Sequence, residues 1–276
     1  MKLNFIDYET KLKEDFLILL NKEKYKNESL ESLFHLYFNK LNKQISQKNY
    51  KVFISDELIN IQNPNKDILI KIKKDFENGN INLLNKRLSK ASIKEDKNDL
   101  LLNNWGIYHF HLGKINKNDF TCRTGLLLFV KIIDNNVYFL DLKEHGNFSS
   151  IDFIKIMHNN WEREIDTYRI LDFVDIQPKL NEKEVFEFWK LGSNVILTFI
   201  DKNNNEVAYM PIGGGINVTK SSNIATIKWI KFINTLPNID KKLNSKCFLI
   251  FDSTNKRFHI QDLNGNNLYN LDFDSL

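Results

Sequence analysis

The chain has only two cysteines, Cys122 and Cys247, far apart and outside any CxxC pattern. That excludes a disulfide scaffold and a zinc finger, and it suits a reducing compartment. Proline (4) and glycine (10) are scarce in 276 residues. The polar loop at residues 92–99, SIKEDKND, therefore lacks the Gly/Ser/Pro character of a flexible linker. No window approaches 18 uninterrupted apolar residues, and the opening MKLNFIDYETKLKED is too charged for a signal peptide. The expectation is a cytoplasmic protein with no membrane partner. Heptads, a solenoid period and a low-complexity tail are also missing.

What is present is bulk. The chain carries 21 Phe, 9 Tyr and 4 Trp, enough for a substantial core, and 42% hydrophobic with 27% charged residues is ordinary for a globular protein. The formal net charge of +4 is uneven. Residues 1–98 hold 19 Lys/Arg against 14 Asp/Glu, whereas 99–276 hold 20 against 21. An Asn-, Lys- and Ile-rich composition also follows from an AT-rich genome, so the lysine excess permits an anionic partner without demanding one. The division expected is a mainly helical, mildly basic region 1–98 and an α+β region 99–276, as two domains or one.

Apolar spacing of three and four predicts helices over 9–20 and 28–47, the second capped by Asn27. A short strand opens at 51, and two helices joined at Gly79 span 65–90, with Lys71, Lys73, Lys74, Lys86, Arg87 and Lys90 on a basic surface. Residues 105–112 alternate as a strand, with Trp105, Ile107, His109 and His111 on one face and Tyr108, Phe110 and Leu112 on the other. GLLLFVKI and NVYFLDL flank a turn at 134–136, and their near-continuous apolar character predicts a hairpin covered on both faces. A helix capped by Ser149-Ser150, a strand from 169, a helix over 181–190, and a hairpin over 202–205 follow. A helix over 222–236 and a final hairpin complete the chain. The fold class is α+β, a helical N-terminal part followed by antiparallel hairpins packed on helices.

Three of six histidines, His109, His111 and His145, fall within residues 101–148. Two residues apart on a strand places His109 and His111 on one face, with Cα atoms roughly 6.5–7 Å apart. Histidine titrates near neutrality and serves as general acid or base, and Arg123 nearby suits the charge of a pentacoordinate phosphate. With a tyrosine, Tyr108 or Tyr138, these groups suffice for metal-free RNA cleavage by the ribose 2′-OH. The same histidines with Asp141 or His145 would instead make a three-ligand metal site. A third possibility is an aromatic-rich core strand with hydrogen-bonded histidines.

The stretch from Thr121 to Phe148, with Arg123 entering one strand, an apolar run, an Asp/Asn turn and His145 ending the next strand, resembles the hairpin core of RelE/ParE-type toxins. These belong to the barnase-like superfamily of metal-independent ribonucleases. The resemblance implies Arg123 as phosphate contact and His145 at the strand end where the family keeps catalytic groups. It also implies RNA as substrate and an antitoxin or regulatory protein as partner. The family is shorter and more basic than this chain. A two-residue turn at Asn135-Asn136 pairs Leu126 with His145 and sets Arg123 on the opposite face, a conflict that a bulge or one extra turn residue would remove.

A second constellation is the glycine run Gly213, Gly214 and Gly215 with Lys220, between a strand and a helix start. Such a loop either binds an anion through backbone N–H groups or forms a tight turn. Residues 214–221 approach GxxxxGK[ST], but Thr219 stands where glycine is required and too little chain follows for a nucleotide triphosphatase. His158 and His259 read as structural. The leading expectation is a cytoplasmic, metal-independent endoribonuclease of toxin or phage-defence type, needing no cofactor, with His109, His111, Arg123 and His145 as catalytic groups. The alternatives are a non-catalytic binding protein built on Gly213–Gly215, and a metal hydrolase using His109, His111 and Asp141.

Overall fold

The computed structural model describes residues 5–21, 23–59, 65–89, 94–97, 99–115, 121–122, 124–144, 151–173, 175–211 and 223–272. The fold is α+β, as expected. The chain forms two compact units, one from Met1–Asn42 with Ile224–Leu276 and the other from Lys43–Asn223. The expected boundary at 98/99 coincides with neither junction, because β-pairing ties residues on both sides of it into one sheet.

In the first unit, helices α1 (Tyr8–Leu20) and α2 (Leu30–Asn42) carry the predicted apolar stripes, including Leu12, Phe16, Phe34 and Phe38. The cap of α2 is Ser29, whose Oγ accepts from the Ser32 N–H at 3.1 Å, and not Asn27. These helices share one aromatic core with the helix at Asn223–Asp240 and with an antiparallel sheet of strands at Phe248–Asp252, Arg257–Gln261 and Asn267–Asp272. The third strand extends the predicted hairpin.

The second unit is built on a four-stranded sheet. Its strands, in spatial order, are β1 (Lys51–Ile54), β4 (Asn136–Glu144), β3 (Leu126–Ile133) and β2 (Ile107–His111). The three later strands form an antiparallel meander, and β1 joins β4 in parallel, a pairing the hairpin pattern did not suggest. Both faces are buried, as the apolar run implied. Leu127, Phe129, Tyr138 and Leu140 face α6 (Leu100–Trp105) and α7 (Ile151–Trp161). Beyond these lie α8 (Glu182–Lys190) and a small sheet of β5 (Arg169–Ile170), β6 (Leu197–Ile200) and β7 (Glu206–Tyr209). Leu128, Val130, Val137 and Phe139 face α3 (Asp56–Ile59), α4 (Lys66–Glu77) and α5 (Ile81–Asn85).

Two local features decide what the sheet presents. Trp105 does not begin the strand; it ends α6, and Gly106 at φ 64° reverses the chain into β2. The β3–β4 turn is Asp134-Asn135, with Asp134 at φ 50°, and a bulge shifts the register between Phe129 and Val130. Leu126 therefore pairs with Glu144, one residue from the register expected of an unbulged Asn135-Asn136 turn.

One charge sits inside this packing. Lys131 of β3 is only 3% exposed, and its Nζ donates to the Trp105 carbonyl at 2.5 Å and lies 3.3 Å from the Tyr168 hydroxyl and 4.8 Å from the centre of that ring. Burial pulls its amine down to about 7. Unfolding restores the ordinary value of 10.5, so between those pH values the unfolded chain binds more protons and stability rises with pH. Lys131→Met is expected to flatten the unfolding free energy measured in urea between about pH 8 and 10, by up to ~1.4 kcal/mol per pH unit. An unchanged slope would show that the amine is not buried in this way.

Candidate functional site

The histidine pair lies on β2, the edge strand of the larger sheet. His109 pairs across the strands with Phe129 and His111 with Leu127, so both imidazoles share the face that carries Ile107, as their spacing predicted. Their surroundings differ. The His109 ring packs 6.2 Å from the Phe129 ring, and its Nδ1 lies 3.3 Å from Oδ2 of Asp99, with 12% of the side chain exposed. The other Asp99 oxygen accepts from the Leu102 N–H at 3.1 Å and caps α6. One carboxylate thus starts a helix and faces an imidazole.

His111 is 5% exposed and its backbone is fixed by Arg87. The His111 N–H donates to the Arg87 carbonyl at 2.9 Å, and the Arg87 guanidinium donates to the carbonyls of His111 (3.2 Å) and Gly113 (3.0 Å). Arg87 is buried, so it leaves the basic surface expected of 65–90 and becomes a clamp on the end of β2. His111 belongs to the framework and not to an exposed acid–base pair.

Tyr108 points to the other face, against the α4–α5 core, and its phenol is pushed up by burial first, with Tyr50 and Asp99 adding. Tyr138 is buried, stacked on Phe53 at 5.2 Å, and pushed up to about 12, mainly by burial. Tyr108 thus lies on the face opposite His109, and Tyr138 packs in the α6–α7 core. Asp141 pairs with Phe129, one strand beyond His109, and its carboxyl is raised by burial while its Oδ1 accepts from the Leu142 N–H at 2.7 Å. The stacked rings of Phe129 and Phe153, 4.3 Å apart, fill the row between them. Among the described residues no group of three or more His, Cys, Asp or Glu side chains is placed to hold a metal ion. The alternative set His109, His111 and Asp141 is therefore not assembled as a metal centre. Arg123, His145, Gly213, Gly214, Gly215 and Lys220 lie outside the described residues.

A polar cluster that the sequence reading set aside lies behind α7. His158 is buried, with Nδ1 2.7 Å from the Tyr209 hydroxyl and Nε2 3.5 Å from Asp201 Oδ2. Asp201 in turn accepts from the N–H groups of Asn203 and Asn205, both at 2.8 Å, which hold its carboxyl below the ordinary range. A neutral imidazole satisfies both partners: Nε2–H faces the carboxylate and Nδ1 accepts the phenol proton. The arrangement joins α7 to β6 and β7. Tyr209 is fully buried and stacked on Phe199, so the cluster is a structural tie.

Asp99 had a legible signal. It stands just ahead of Leu-Leu-Leu-Asn-Asn-Trp, three residues before the amide it caps, but those residues read as the lead-in to a strand. His158, Asp201 and Tyr209 had none, since they meet only through tertiary packing. No family model, curated protein or solved structure matches the chain.

Tyr209→Phe removes the phenol proton from His158 Nδ1, whose next partner is Glu162 at 3.8 Å. The expected cost is about 1–3 kcal/mol in urea unfolding, the penalty of an unsatisfied buried acceptor. A change below about 0.5 kcal/mol, the size of an ordinary surface substitution, would show that the tie carries no weight.

Proposed function

We propose that the protein is a metal-independent endoribonuclease of toxin or phage-defence type, acting in the cytoplasm, with His109 as its general base. The observation that carries this reading is the placement of Asp99 3.3 Å from His109 Nδ1. The carboxylate stands at ion-pair distance from Nδ1 and makes no hydrogen bond to it in this arrangement; a proton at Nδ1, on the carboxylate's side, leaves the lone pair on Nε2. Nε2 accepts the ribose 2′-OH proton, the 2′-oxygen bonds to phosphorus, and the bond from phosphorus to the 5′-oxygen breaks. Arg123 is assigned the phosphoryl charge, as the toxin resemblance implies, and His145, placed by that resemblance where the family keeps catalytic groups, is assigned here the protonation of the departing 5′-oxygen. His111 is withdrawn from the acid–base pair. Cys122 and Cys247 form no disulfide, which suits a reducing compartment. RNA is the substrate, and an antitoxin or regulatory protein is the partner.

The burial of His111 favours one other reading, a non-catalytic protein that binds an anionic ligand or partner through Gly213–Gly215 and Lys220. Purified protein with RNA in EDTA separates the two. The nuclease yields 2′,3′-cyclic phosphate ends, and expression arrests growth. His109→Ala lowers cleavage by about 10²–10⁴-fold, the range for loss of a general base. Arg123→Ala and His145→Ala also lose cleavage, whereas His111→Gln loses stability before turnover. RNA left uncut with and without divalent metal would sink the nuclease, and loss of anion binding in Gly214→Val would then support the binder.

A further inference from the structure

Lys43 follows α2 directly and begins the second unit. Its side chain is buried, at 2% residue exposure, and its ammonium donates to the main-chain carbonyls of Lys94 (2.5 Å) and Lys97 (2.6 Å). Exposed loop carbonyls are ordinarily solvated by water, so an ammonium drawn out of solvent to hold two of them fixes where that segment runs. The segment precedes Asp99 by one intervening residue in sequence. Burial pulls the Lys43 amine down to about 8, and the charges of Asp99, then Glu95 and Asp96, oppose that shift. Lys43 therefore holds the carbonyls of Lys94 and Lys97, and Asp99, two residues further on in sequence, accepts from the Leu102 N–H and lies 3.3 Å from His109 Nδ1.

We propose that Lys43 is a positioning residue for His109, anchoring residues 94–97 so that the Asp99 carboxylate sits against the imidazole. The inference rests on reading His109 as the acid–base group, but its geometric part is measurable without any substrate. Two ways of acting are separable. As an anchor, Lys43 holds the carboxylate in place through its N–H donors. As a mere neighbouring charge, it leaves the carboxylate in place when replaced by a neutral side chain.

The test uses the full chain and reads two signals by NMR. One is the ring ¹⁵N pattern of His109, which distinguishes Nδ1–H from Nε2–H in the neutral ring; the other is hydrogen exchange of the Leu102 amide, which Asp99 caps. Asp99→Ala, which removes both the cap and the carboxylate, sets the values for their loss. Lys43→Met is expected to match it, losing the Nδ1–H tautomer and exchanging the Leu102 amide about tenfold faster, the mark of local loosening. Lys43→Arg, which keeps N–H donors and charge, is expected to retain both signals. Retention of both in Lys43→Met, or their loss in a folded Lys43→Arg, would overturn the proposal, and Lys43→Gln, which keeps N–H donors without the charge, decides if the methionine variant does not fold: loss of both signals there overturns the anchor. Where RNA is cleaved, Lys43→Met lowers kcat by roughly 10–100-fold, the effect of a misplaced catalytic group. If RNA is not cleaved but the two signals move as stated, the nuclease reading fails and the positioning stands.

Discussion

Burial of the β3–β4 ribbon on both faces is the constraint from which the second unit follows. Leu127 and Phe129 need the α6–α7 layer, and Leu128 and Val130 need the α4–α5 layer. Neither layer is dispensable, because each strand alternates between them. Polar groups drawn into such a sandwich must find partners within it, since water is excluded. Lys131 uses the carbonyl that ends α6, His158 uses a phenol and a carboxylate, and Arg87 uses the carbonyls at the end of β2.

The same constraint distinguishes the two histidines of the HFH strand. They share a face and differ by two positions, yet His109 lies where the Asp99 carboxylate reaches it and keeps some solvent exposure, whereas His111 is buried. That position exists because α6 stops at Gly106 and turns into the edge strand, bringing its own N-terminal cap back alongside β2. The cap of a six-residue helix and the orientation of an imidazole are consequently one structural problem with one solution, Asp99.

Features set by neighbours in sequence were legible. The helix expected over 181–190 is α8, started by a capping box of Asn181 and Glu184, the apolar alternation of Ile107 to Leu112 sorts its side chains correctly, and the two-sided burial of the hairpin is written in LLLFV and VYFL. Features made by distant residues were not. Lys51 pairs with Asn136 in parallel, Lys43 meets the carbonyls of Lys94 and Lys97, and His158 meets Tyr209, none of which a local period encodes. The hairpin register failed for a subtler reason: the turn falls at Asp134-Asn135, which alone would pair Leu126 with Lys143, and the bulge between Phe129 and Val130 moves that partner to Glu144. Lys131 was visible as the one charge in an apolar strand, but its significance depends on the helix end packed over it.

The first unit is assembled from the two ends of the chain, with the whole second unit encoded between them. During translation, α1 and α2 leave the ribosome with Phe16, Phe34 and Phe38 lacking the partners they meet at Phe232, Phe251 and Phe258. At ordinary elongation rates the wait for those partners is on the order of ten to forty seconds. Over that interval the nascent helical pair is an apolar client for chaperones, while the inserted unit has all its own contacts and is able to fold first.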